Sequence, residues 1–462
     1  MKKVLISGRR GGAFAPAVAL LLSLSASCVL AGSRPAAPFA KGERATMLGD
    51  SITHGGKYCA NLQLFWDLRF PGDGVRIMNC GVSGGTAGGG IERWERDVMS
   101  QNADRIFVMF GMNDVGGGPY NGQAGLNAAA RYETNMTEIA KRTIQAGKRL
   151  AVIMPTPYDE YSTNRKARCV KERDSVGLAR LAKMCRALAD KNNAELIDLY
   201  TPLVRFVKEH GEFPFCRDDR VHPTVEGHIV MTAEILSQMG VSPFVAQVEI
   251  DAASACVKKS ESAGVSNLKT ESGRVSFVYA PERLPFPTAP EYKCAAAVYP
   301  VSEKMNLEML QVKALPAGNY RLLADGKELA RFSAEEFAKG VNLALLPTKG
   351  ASLAMEAWDV SRKLSTSQVR LRTLVQLEGL AKRRGAELSD NAGVIEKIRE
   401  FIEDLRRRKS TALKYYENQL ANYQRDKPLE QSLRNQEEHW RRLLRKAAAK
   451  TWKAEMVIEP VL

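Results

Sequence analysis

The chain has 462 residues, 45% of them hydrophobic and 26% charged. That composition excludes a disordered or fibrous polymer, and the length exceeds what one hydrophobic core usually fills, so two or three domains are expected. The formal net charge of +15 points toward a nucleic-acid ligand, but residues 1–31 contribute +4, residues 361–453 contribute +11, and the rest sums to zero; with no binding motif beside the basic segment, nucleic acid is not expected as a partner.

Lys2, Lys3, Arg9 and Arg10 precede a run of apolar and small residues from Ala13 to Leu30, and Val29 and Ala31 obey the small-residue rule for cleavage before Gly32. Residues 1–31 therefore read as a signal peptide, with export to the periplasm or the exterior. An uncleaved anchor is the alternative. A twin-arginine signal at Arg9-Arg10 and lipid attachment at Cys28 match poorly, the latter because Ser25 stands where a lipobox has Leu. No later stretch is long and apolar enough to span a bilayer. Export would put Cys59, Cys80, Cys169, Cys185, Cys216, Cys256 and Cys294 in an oxidising compartment, where an odd number leaves at least one free thiol. The spacing does not give a pairing, and without a Cys-x-x-Cys pair no zinc site is expected.

From Arg44 to about Gly240, short apolar runs alternate with longer amphipathic stretches. The runs at 44–48, 75–79, 105–110, 149–154 and 194–199 predict strands; 59–69, 90–99, 126–146, 176–192 and 224–239 predict helices. Such alternation implies parallel βαβ units with a site at the carboxyl ends of the strands. Residues 241–290 change to Ser/Lys/Glu-rich text around one strand at Val275–Tyr279, and 310–346 form a compact β-rich unit with turns at Pro316–Asn319 and Asp325-Gly326. Ser333-Ala-Glu-Glu336 reads as a capping box. From 351 to 452 apolar residues recur at helical spacing, for example Ile395, Ile398, Ile402 and Leu405, with a break at Pro428; an antiparallel helical hairpin or coiled coil is the simplest reading, its charged face reads as solvated surface with docking of an acidic polymer as the alternative, and the helices are candidates for self-association. The expected division is a signal peptide at 1–31, an α/β domain at 42–243, a linker and small β-rich module at 244–350, a helical hairpin at 351–453, and a closing strand at 454–462.

Ser51 follows the first strand directly, in Leu48-Gly-Asp-Ser-Ile-Thr53. A serine hydroxyl is a weak nucleophile and needs a base within hydrogen-bond reach. Of the histidines at 54, 210, 222, 228 and 439, only His222 has an acid placed to orient it, in Asp219-Arg-Val-His222. In a turn, that separation brings the carboxylate to ring Nδ1 and leaves Nε2 for the serine; the plainer alternatives are an Asx-turn and a surface histidine. Donors for a developing oxyanion are available in Asn79-Cys-Gly-Val-Ser-Gly-Gly-Thr86 and Gly111-Met-Asn-Asp114, each after a predicted strand. His54 and Tyr58 are candidate substrate contacts, and Asp50 is expected to fix the nucleophile turn beside the substrate.

Together and in order, Gly49-Asp-Ser51, the stretch containing Gly84, Gly-x-Asn113-Asp and Asp-x-x-His222 resemble the four blocks of SGNH (GDSL-type) hydrolases. The resemblance covers about Arg44 to Gly240, and one departure is Gly85, where many members carry Asp. It implies a flavodoxin-like α/β/α fold, Ser51 as nucleophile, His222 as base and Asp219 as its partner. It further implies an oxyanion hole of the Ser51 and Gly84 N–H groups with the Asn113 side chain, and no metal or organic cofactor. The expected activity is ester hydrolysis by two-step acyl transfer, with acetylated polysaccharide or small acyl esters as substrates and lysophospholipid or thioester hydrolysis as the alternative. A dinuclear metallophosphoesterase would need an early Asp-x-His and later His pairs, which are missing. A non-enzymatic polymer-binding scaffold on the same fold is the other alternative.

Overall fold

The computed structural model describes residues 32–163 and 165–461; the expected signal peptide lies outside them. Six strands form the central sheet: β1 (Arg34–Pro35), β2 (Arg44–Gly49), β3 (Arg76–Gly81), β4 (Arg105–Met109), β5 (Arg149–Ile153) and β6 (Glu195–Ile197). Their order is β1-β6-β5-β4-β2-β3 and every pairing is parallel. Leaving aside the two-residue edge strand β1, this is the flavodoxin-like order. β2, β4 and β5 are buried almost throughout, as sheets covered on both faces require. The covering helices are α1 (Ser51–His54), α2 (Lys57–Arg69), α3 (Ala87–Glu92), α4 (Trp94–Asp97), α5 (Gln123–Gln145), α6 (Ala179–Lys191), α7 (Tyr200–Glu209) and α8 (Val225–Gln238). The chain turns back across the sheet at β2, between β3 and β4, which sets the residues after β2 at the topological switch point.

The region from 244 onward is more ordered than its composition suggests. A four-stranded sheet, β14-β11-β7-β8, combines β7 (Phe244–Asp251), β8 (Cys256–Glu261), β11 (Leu307–Lys313) and β14 (Val341–Asn342). A five-stranded sheet, β13-β12-β15-β10-β9, combines β9 (Ala263–Glu271), β10 (Arg274–Pro281), β12 (Asn319–Ala324), β13 (Lys327–Ser333) and β15 (Ala454–Pro460). Short helices α9 (Pro290–Ala296), α10 (Val301–Met305) and α11 (Ala334–Lys339) fill the connections, the last opened by the expected capping box on Ser333 and Glu336. The stretch read as linker therefore holds four strands rather than one.

The C-terminal segment is not a hairpin. It holds four helices: α12 (Lys349–Arg383), α13 (Asn391–Arg407), α14 (Leu413–Asp426) and α15 (Glu430–Ala448). α12 has 35 residues, hence a length of about 52 Å at 1.5 Å per residue. It ends where Gly385 takes a φ of +87°, a left-handed conformation that glycine adopts without a Cβ penalty. A second reversal, at Lys409 with φ +50°, separates α13 from α14. Leu371, Leu374 and Leu377 of α12 pack with Val394, Ile398 and Ile402 of α13 and with Leu433 of α15 in a satellite core. The described residues 32–461 form one compact unit. Among the described residues no helix is long and apolar enough to cross a membrane, and Cys59, Cys80, Cys169, Cys185, Cys216, Cys256 and Cys294 are free thiols.

Candidate active site

β2 delivers the chain into a tight turn at its carboxyl end. Asp50 N-caps α1, its Oδ1 accepting the Ile52 amide at 2.9 Å. The turn demands glycine on both sides. A Cβ on Gly49 would lie 2.2 Å from Thr53 Oγ1, and one on Gly81 would lie 2.1 Å from the His54 nitrogen. Ser51 is thus the first residue of α1, where a backbone N–H has no acceptor within the helix.

Across the cleft, the loop before α8 carries Asp219 and His222. Its shape comes from Arg220, which takes a φ of +65° and turns its buried guanidinium inward to donate to the carbonyls of Ala167, Asp159 and Ser162. Asp219 Oδ1 accepts the amides of Val221 and His222, each at 2.9 Å. This is the Asx-turn that the sequence offered as an alternative, and it leaves Oδ2 for the ring: His222 Nδ1 lies 2.7 Å from it. With Nδ1–H donating to the carboxylate, Nε2 is an acceptor, and it lies 2.8 Å from Ser51 Oγ. Burial opposes ionisation of Asp219, but hydrogen bonds from the His222 ring, the His222 amide and the Val221 amide outweigh it and hold the carboxyl down to about 2.

The loops after β3 and β4 complete the edge. Gly84 adopts φ +73°, and a Cβ there would meet no atom within 4 Å. Asn113 donates one amide N–H to the Gly85 carbonyl at 2.9 Å, tying its loop to that of Gly84. Asp114 Oδ1 accepts the Ala87 amide at 2.9 Å, and burial raises its carboxyl to about 6. Among the described residues no group of three or more His, Cys, Asp or Glu side chains converges as a metal ligand set.

Three expected substrate contacts lie behind the nucleophile instead of before it. Asp50 is buried as the cap of α1, and burial raises its carboxyl to about 7. Tyr58 is buried, stacked on His228 and hydrogen-bonded to Thr53 Oγ1 at 2.9 Å. His54 is buried between two elements: Nδ1 accepts from the Ser83 amide and hydroxyl at 3.1 and 2.9 Å, while Nε2–H donates to the Val369 carbonyl at 3.3 Å. Burial, with the Arg372 charge adding to it, depresses the His54 ring to about 4 and keeps it neutral. The physical reason is shared: a short helix that aims Ser51 outward turns the residues on either side of it into the core.

Sequence reasoning missed a buried arginine cluster that joins α12 to this site. Arg372 donates to both carboxylate oxygens of Asp97, at 3.0 and 2.6 Å, and through Nε to the Gly81 carbonyl at 2.9 Å. Arg93 donates to Asp97 at 2.7 Å and to the Gly49 carbonyl at 2.8 Å. Gly49 precedes the nucleophile turn and Gly81 precedes the Gly84 loop, so one carboxylate and two guanidiniums hold both loop bases. Burial opposes the Asp97 charge, but Arg372 and Arg93 lower its pKa below the ordinary value.

Residues 47–230 match the family model of GDSL-like lipases and acylhydrolases. The chain carries an SGNH/GDSL hydrolase domain. An acetylxylan esterase of Geobacillus stearothermophilus is 26% identical over 217 residues, which are 43% of this chain and 94% of that protein. A solved structure of a gut microbial diltiazem-metabolizing enzyme is 28% identical with a TM-score of 0.81, covering 93% of this chain and 100% of that one. That coverage reaches beyond the SGNH/GDSL domain, so the accessory sheets and C-terminal helices are also part of a shared architecture. The domain match and the esterase relative support an ester hydrolase.

Proposed function

We propose that this protein is a serine esterase that works by two-step acyl transfer, with the Ser51–His222–Asp219 arrangement as its machinery. The supporting observation is the chain of short contacts from Asp219 Oδ2 to His222 Nδ1 and from His222 Nε2 to Ser51 Oγ. Ser51 attacks the ester carbonyl as His222 Nε2 takes its proton. The oxyanion is met by the Ser51 and Gly84 N–H groups and by Asn113. His222 then protonates the departing alcohol, and water, deprotonated by the same imidazole, hydrolyses the acyl-enzyme. The low pKa of Asp219 keeps the carboxylate charged while the imidazolium forms.

The acyl group we assign is short, acetyl in the first instance, on the analogy of the acetylxylan esterase relative; acetylated carbohydrate and small acetyl esters are the substrates to try, and the enzyme is proposed to act after export. The test measures acetate release from acetylated oligosaccharides beside hydrolysis of p-nitrophenyl esters of increasing acyl length. Acetyl esters should be preferred, and Ser51→Ala should lose at least about 10³-fold in rate while keeping its fold. Undiminished turnover in that variant contradicts the assignment, and a preference for long acyl chains contradicts the acetyl choice.

A further inference from the structure

An 870 Å³ cavity opens beside the Gly84 loop. One wall is the hydrolase domain, with Gly84, Gly85 and Thr86, and the other is built by the C-terminal helices. An acetyl group has only a few heavy atoms, whereas clefts of about 300–1,000 Å³ hold organic molecules of drug size. If the esterase reading holds and the acyl group is short, this space belongs to the alcohol half of the substrate.

The lining says what kind of alcohol. Val375 and Leu380 of α12, Leu388 in the α12–α13 connection and Tyr416 of α14 present apolar surface, and Leu388 is an exposed large hydrophobic residue at 38% accessibility. The arginines there are engaged. Arg96 is paired with Asp97 and Glu378, Arg383 with Glu92, and Arg93 with Asp97. The Gln376 amide faces the Ser83 carbonyl and the Tyr415 hydroxyl. Lys382, which also lines the cleft, has no ion-pair partner among the described residues, and Asp97 is shared by Arg93, Arg96 and Arg372, so the cleft combines an apolar wall and glycine backbone with a positively charged rim.

We propose that the cleft between the Gly84 loop and helices α12–α14 binds the alcohol part of the ester substrate, and that this part is a bulky, ring-containing group whose apolar face lies on Val375, Leu380 and Tyr416. The C-terminal helices are then the specificity element of the enzyme. A sugar ring and a fused aromatic ring both have such a face; the aliphatic wall favours the aromatic or otherwise apolar ring.

Gly379 offers a clean test. It lines the cleft, lies within α12, and a Cβ added there meets only the far end of the Arg383 side chain, at 3.6 Å. A side chain at 379 therefore has room at its base, and Gly379→Phe adds a ring on the cleft side of α12 in place of a poor helix former. The full chain and this variant are compared on 1-naphthyl acetate and on vinyl acetate, and for binding of 1-naphthol by calorimetry, which needs no catalysis. The expected result is loss of naphthol binding and at least about a tenfold fall in kcat/KM for 1-naphthyl acetate, carried by KM, with vinyl acetate changed less than about twofold. Unaltered naphthyl acetate turnover and naphthol binding in Gly379→Phe overturn the proposal, as does an equal loss on both esters. A protein that binds naphthol in a Gly379-dependent way yet hydrolyses neither ester contradicts the esterase reading and leaves the cleft standing.

Discussion

Asp50 and Ser51 are neighbours whose environments diverge. Ser51 turns toward the cleft, while Asp50 is buried beneath it and ionises only near about 7 instead of at its ordinary 3.8. Between those values the folded protein keeps a proton that the unfolded chain has lost. The contribution of Asp50 to stability is thus whole below about 3.8 and is lost as the pH rises through about 7. Asp50→Asn keeps an acceptor for the Ile52 amide and removes the titration. Its stability relative to the parent should therefore climb as the pH rises and level off above about 7, as read by urea unfolding at stepped pH; a difference independent of pH contradicts burial of a protonated Asp50. That Ser51, Asp219 and His222 meet was legible in the sequence because Ser51 stands at the end of a strand and the other two at a short, local spacing. The burial of Asp50, His54 and Tyr58 was not, because it depends on the direction in which α1 leaves the sheet and on α12, over three hundred residues away.

At the scale of elements, the parallel sheet was legible because its strands are buried on both faces and read as apolar runs. β8 and β9 were not. Their residues are largely exposed, so no apolar run marks them, and the turns before and after β8 place Ala255 and Ser262, rather than glycine, at positive φ. Arg372 was hidden for another reason: it is one of 23 Lys and Arg residues between 361 and 453, and nothing local distinguishes an arginine that inserts into the hydrolase domain from one in solvent. Its removal should show the difference. Arg372→Ala leaves Asp97 in the core with Arg93 as its remaining buried partner and frees the Gly81 carbonyl, which should cost about 3 kcal/mol of stability. Because Gly81 leads into the Gly84 loop, kcat should fall while KM stays close to its original value, and Arg372→Lys should recover only part of it. Unchanged kcat with reduced stability would assign Arg372 a purely structural role.

At the largest scale, the described residues 32–461 fold back on themselves. β15, the last strand, lies between β12 and β10, so the five-stranded sheet cannot close until the end of the chain arrives. α12 packs on the loops that frame Ser51, and α15 reaches α2 through Arg441, which donates to Gln63. Separate modules along the chain were the natural reading of its composition, since each segment has its own character, but the contacts that join them are long in sequence separation and carry no local signature. Residues 32–461 should unfold in a single calorimetric transition, and deletion of residues 454–462 should abolish it by unpairing β10 and β12 together. Two resolved transitions in the intact chain would show that the segments are independent.

The central claim is that Ser51 is a nucleophile activated by His222. Treatment with a serine-reactive fluorophosphonate followed by peptide mass spectrometry tests it directly. The expected result is one adduct on Ser51, strongly slowed in His222→Ala and absent in Ser51→Ala; no adduct on Ser51 in the intact folded protein, or labelling indifferent to His222, would contradict it.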